Sequence, residues 1–127
     1  MINKIVYKKE LVGYKISKIQ KGTVPITDPK EYIQMVTLNH PKGTVLKAHM
    51  HKARKRITYQ LQECIVIKKG KVLITLYGIN KKQVKNLYLT SGQAFILFKG
   101  GIKIKMLADS EIFELKNGPF IEDKILI

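Results

Sequence analysis

The chain has no tryptophan, one cysteine, three histidines, and nine acidic residues against 24 lysines and arginines. Each scarcity excludes something. A single cysteine, Cys64, forms no internal disulfide, which argues against a disulfide-stapled secreted scaffold and for a reducing compartment. Set mid-strand among apolar neighbours, Cys64 is expected to be a buried structural thiol rather than a reactive one. No apolar run approaches the roughly 18 residues that span a bilayer. The N-terminus MINKIVYKKE also lacks the apolar core and cleavage site of a signal peptide. The expectation is a cytoplasmic protein with no membrane partner.

Arginine is nearly absent too. Only Arg54 and Arg56 accompany 22 lysines scattered from Lys4 to Lys124. Nucleic-acid surfaces favour arginine, whose fork pairs with phosphates and guanines, and they concentrate it on one face. No helix-turn-helix, zinc-finger or RNA-recognition signature is present either. Specific nucleic-acid binding is therefore not expected. The formal charge of +15 suits a small anionic ligand instead, such as a phosphorylated or nucleotide-linked substrate.

What is present is a chain of 127 residues, 45% hydrophobic and 26% charged, long enough to bury a core and the size of one domain. Ten or so short segments, with turns every eight to twelve residues and no helical period, predict an all-β sandwich or barrel. INKIVYK and LVGYKISKIQ alternate as one or two strands expected to close a sheet edge, and KGTVPITDPK reads as turn. Strands are further expected at EYIQMVTLN, GTVLKAHMH, RITYQ, ECIVIKK, KVLITLY, VKNLYLT, QAFILF and IKIKML, with the chain closing in EIFELKNGPF and DKILI. Residues 1–30 form the lead-in and 31–120 the barrel of a single domain covering 1–127. Small open β structures commonly cover an edge by self-association, so a homodimer is expected.

Nearly all the chemistry lies between Gly43 and Gly70. On a strand, His49 and His51 point to one side with Val45 and Lys47, close enough to grip one metal ion or one substrate. The plainer alternative is a polar rim. Glu63 is the one acid between Glu31 and Asp109. Beside Cys64-Ile65-Val66-Ile67 it is costly to bury unless a metal, a histidine or Lys47 pairs with it. Otherwise it is a solvent-facing strand residue. His40, before Pro41, reads as a turn residue. Arg56 and Tyr59 either line a pocket mouth or are ordinary strand residues. Lys103 and Lys105 alternate with Ile102, Ile104 and Met106 and are expected to face solvent.

Gly43, five residues, His49-Met50-His51, then Glu63, six residues and Gly70 resemble the first motif of the cupin superfamily. Gly92 and Gly100 resemble the frame of the second. The resemblance runs from about Tyr32 to Lys116. Asn39-His40-Pro41, Tyr59, Gln62-Glu63, Gly70-Lys71 and Lys116-Asn117-Gly118-Pro119-Phe120 are similar to small single-domain cupins linked with surface-polysaccharide gene clusters. The resemblance implies a double-stranded β-helix, or jelly-roll barrel, acting in carbohydrate metabolism.

It also implies a divalent metal (nickel, iron, manganese or zinc) on His49, His51 and Glu63, completed by water or Gln62, or else no metal at all. Lys47, Arg56, Tyr59 and Gln62 would contact substrate. Two departures stand out. Eleven residues separate His51 from Glu63, where cupins use a much shorter gap, and the second motif offers Ile102 or Lys103 where its histidine belongs. His49-Met50-His51-Lys52 is similar to a motif of cupin-type ketoisomerases of nucleotide-linked deoxysugars. That likeness implies metal-free proton shuttling by His49 and His51 through an enediol, with Glu63 as orienting carboxylate. An isomerase or epimerase-like enzyme is one expectation, and a non-catalytic binding module with a degenerate metal site is the other.

Overall fold

A computed structural model describes residues 1–127. It contains ten strands and no helix. β1 (Ile2–Tyr7) and β2 (Glu10–Ile16) form a hairpin. Its two-residue loop, Lys8 and Lys9, holds φ of 49° and 64°, the left-handed pair whose twist matches the flanking strands. β3 (Gly22–Pro25) and β4 (Val36–Asn39) form a separate two-stranded ladder. β5 (Glu63–Lys69), β6 (Lys71–Tyr77), β7 (Gln83–Thr90), β8 (Ala94–Leu97), β9 (Gly101–Met106) and β10 (Glu111–Lys116) complete the set.

All pairings are antiparallel. One sheet runs β1-β2-β8-β5-β10 and the other β7-β6-β9. From β5 onward the chain passes repeatedly from one sheet to the other. The first passage turns at Gly70, whose φ of 107° suits glycine; a side chain there would also run into Ser110 and the Asp109 backbone.

Period-2 alternation explains the core. Ile65 and Ile67 of β5 meet Ile74 and Leu76 of β6, Leu89 of β7 and Phe95 of β8 between the sheets, all essentially without solvent contact. The other face of the larger sheet carries Tyr14, Cys64, Ile96 and Phe98, against which Ile26, Ile33 and Met35 pack. Tyr14 and Phe98 meet edge to face at 5.0 Å. β8 is buried on both sides, which is why Ala94-Phe95-Ile96-Leu97 is apolar without interruption.

Two expected strands are absent. GTVLKAHMH and RITYQ form no regular structure, the closing DKILI forms none either, and every residue from Leu38 to Leu61 is exposed. Alternation in that arm is real, but a strand needs a ladder partner for its N–H and C=O groups. The one backbone–backbone hydrogen bond formed within 40–61 runs from the Thr44 N–H to the Pro41 carbonyl, 3.2 Å. Conversely, part of the expected turn KGTVPITDPK is β3. Its Pro25 is tolerated because β3 has a free edge. The β1–β2 lead-in does close one edge of the larger sheet, and no helix is present that is long and apolar enough to cross a membrane.

Candidate site at the head of strand β5

Glu63 begins β5, and alternation puts it on the side of Ile65 and Ile67, toward the space between the sheets. Its ladder partners are Leu97 on β8 and Lys116 on β10. Glu114 and Lys116 share that side of β10 with Ile112, and Lys116 Nζ lies 3.4 Å from Glu114 Oε1. Glu63 is half-buried. Burial pushes its carboxyl above the ordinary range, Glu114 and Asp123 push the same way, and Lys116 and Lys124 pull it back.

Glutamates 63 and 114 with lysines 116 and 124 thus form a mixed-charge mouth at this end of the core. Glu114 and Lys116 were not singled out in the sequence. The signal was the period of Ile112, Glu114 and Lys116, obscured because Phe113 and Leu115 look like the inward set yet are 60% and 52% exposed.

A carboxyl whose pKa is raised on folding binds more protons folded than unfolded. Its contribution to stability is therefore present at low pH and lost as pH rises through the raised value. Glu63→Gln should consequently melt above the native chain at pH 7, with the gap closing as pH falls through the Glu63 midpoint. Equal melting at both ends of that range would show that the carboxylate costs the fold nothing.

Gln62 belongs to the framework. It is 3% exposed; its amide oxygen accepts from the Ile33 N–H at 2.8 Å, its amide nitrogen donates to Glu31 Oε2 at 2.6 Å, and its own N–H donates to Asn117 Oδ1 at 2.7 Å. Asn117 Nδ2 in turn donates to the Gln60 carbonyl at 3.0 Å. Engaged in this way, the Gln62 amide is a latch joining lead-in, β5 and tail, a different role from the expected substrate contact.

The histidines lie elsewhere. His49 and His51 sit in the exposed arm with ring centroids 5.3 Å apart, edge to face. His49 Nδ1 is 2.8 Å from the Lys47 carbonyl. A carbonyl only accepts, so Nδ1 donates this bond, and in the tautomer protonated at Nδ1 alone Nε2 is the acceptor. Lys47, Arg56 and Tyr59 are exposed on the same arm. No group of three or more histidine, cysteine, aspartate and glutamate side chains converges as a metal centre requires. The single chain therefore pairs the two histidines without bringing Glu63 to them, and the expected three-ligand set does not fit it.

His40 bonds Thr23 Oγ1 at 2.8 Å beside the turn at Pro41, in keeping with its expected turn role. Lys103 and Lys105 face solvent. Cys64 is buried, and burial pushes its thiol up to about 11, which leaves it protonated and unreactive. A cleft of about 370 Å³ lies near the β1–β2 hairpin tip, between Tyr7, Lys8, Glu10, Asn80 and Lys99, and contains none of the expected site residues. No family model, curated protein or solved structure matches the chain.

Proposed function

We propose that the chain is a cupin-type jelly roll that binds a phosphorylated or nucleotide-linked sugar and acts on it as an isomerase or epimerase-like enzyme. The observation that carries this reading is the oriented histidine pair. With Nδ1 held by a carbonyl, His49 Nε2 is available to take a proton from a sugar carbon next to a carbonyl group. The enediolate that results regains a proton at the former carbonyl carbon, from His51 or from His49 itself, while the proton of the hydroxyl on the first carbon passes to the oxygen of the former carbonyl. Glu63 would orient the sugar hydroxyls, and Lys47, Lys52, Arg54 and Arg56 would hold phosphate. Repeated passage of the chain between two antiparallel sheets supports the jelly roll. A second reading, a binding module without turnover, is favoured by the separation of the histidines from Glu63 in the single chain.

Incubation with phosphorylated and diphosphate-linked keto-sugars in heavy water tests both, with the metal content of the purified protein measured alongside. Deuterium is expected at carbon, with exchange falling about 10²–10⁴-fold in His49→Ala or His51→Ala, the usual contribution of a general acid or base. Shifted histidine resonances without exchange would select the binding module. Neither exchange nor a shift would remove the sugar reading.

A further inference from the structure

The chain exposes 9763 Å², whereas a folded monomer of 14.6 kDa exposes about 6,900 Å². The surplus is the size of an obligate interface. Much of it lies in the arm, residues 44–61, where Val45, Met50, Ile57 and Tyr59 are each more than half exposed. A basic, alternating segment with unpaired backbone is a strand lacking a ladder, and the two sheets end in strands lacking a neighbour: β1, β7, β9 and β10.

Charge chooses among those edges. β1 carries Lys4; β7 carries Lys85 and follows Lys81 and Lys82; β9 carries Lys103 and Lys105. All three repel an arm containing Lys52, Arg54, Lys55 and Arg56. β10 carries Glu111 and Glu114 against Lys116, and Asp109, Glu122 and Asp123 flank it with Lys124, so it is the one edge strand with a net negative charge and most of the chain's few acids gather around it. In an antiparallel ladder the paired residue numbers have a constant sum. A register that sets Arg56 opposite Glu111 therefore sets His51 opposite Lys116, the ladder partner of Glu63.

The chain's own arm cannot take that register. Gln62 is bonded to Asn117, at the far end of β10 from Glu111. The six residues from Arg56 to Gln62 extend about 21 Å at most. They would have to cover about 20 Å along the strand and about 10 Å across it, with nothing left for the turn. Another copy's arm meets no such limit.

We propose that two copies exchange arms: residues 51–56 within the arm of each add as a strand to the β10 edge of the other, which sets His51 beside the partner's Lys116 on the same side as the partner's Glu63, one strand further on, with His49 just past the end of the ladder. A two-fold axis makes the exchange reciprocal and covers the β10 edge of each copy. The assembly rests on surface, edge and charge. Only the chemical role of the delivered histidines rests on the sugar reading above.

Light scattering on the full chain tests it without any ligand. The native protein is expected at twice the chain mass. Arg56→Glu, and separately Glu111→Lys, should each weaken association about 100-fold, because each sets like charges opposite one another at the one directly opposed ion pair of the ladder. Mixing the two variants should restore the dimer, because each arm then meets an edge of opposite sign. A monomeric native chain, a variant that stays dimeric, or a mixture that stays monomeric would overturn the exchange. All the substituted side chains are exposed, and unchanged thermal transitions at high concentration confirm folding. Should either charge reversal fail to fold, alanine at the same positions serves, with a dissociation constant at least about tenfold weaker expected and an unchanged one contradicting the exchange. A dimer that ignores sugars would sink the sugar reading and leave the exchange standing.

Discussion

Phe95→Ala is expected to lower the stability of the chain by about 3–5 kcal/mol, seen as a fall in the midpoint of chemical denaturation with an unchanged slope. The side chain is 1% exposed and packs in the cluster between the two sheets. Its ring also fills the space where Gly13 of β2 has no side chain, so it joins β8 to β2 and to the opposite sheet at once. Truncation removes the transfer free energy of the ring and leaves a cavity that the flanking backbone cannot close. A domain of this kind has a total stability of about 5–15 kcal/mol, and the variant is expected to sit near the limit of folding. A loss below about 1 kcal/mol would show that the inter-sheet cluster is loosely packed.

Gln62→Leu is the second large effect, about 2–4 kcal/mol, because it removes an apolar-sized volume's worth of hydrogen bonding without removing volume. The Ile33 N–H and Glu31 carboxylate lose their partners, at about 1–3 kcal/mol for each group left unsatisfied in a partly buried place. The loss should be local as well as global. Amide exchange is expected to accelerate at Ile33, Met35 and across β3–β4, whose polar attachment to the head of β5 runs through this amide, while β6 and β7 keep their protection. Uniform acceleration throughout the chain would contradict the latch.

These effects bear on what could be read from the residues alone. Strands β1, β2 and β5 to β10 were legible because each carries its own alternation or unbroken apolar run and ends in turn residues. Glu63 was legible as an oddity, a lone carboxylate beside Cys64-Ile65-Val66-Ile67, and its half-buried, raised-pKa setting follows from those neighbours. Three things were not legible. His49 and His51 have strand periodicity, but periodicity says which side chains share a face and not whether a neighbouring strand exists to hold it. The phase of β10 was hidden because Phe113 and Leu115 are apolar but face outward, and this placed Glu114 and Lys116 beside Glu63 unannounced. Gln62 was given a ligand or substrate role only through the resemblance to cupins, and its hydrogen-bond partners Ile33 and Asn117 are distant in sequence and meet it only in the fold.

The arm and the β10 edge are complementary in charge, and each lacks the ladder that the other supplies. A carboxylate with a raised pKa is held at one end of the core, and the oriented histidines stand on a segment that the single chain leaves in solvent. The exchange of arms joins these separate observations into one site.

The most direct measurement of that shared site is an isotope-filtered nuclear Overhauser experiment on a dimer refolded from equal amounts of labelled and unlabelled chain. The predicted result is cross-peaks between the ring protons of His51 on one copy and the side-chain protons of Lys116 on the other, the residue that pairs with Glu63. Cross-peaks from His51 confined to its own copy, or none to β10 at all, would contradict it.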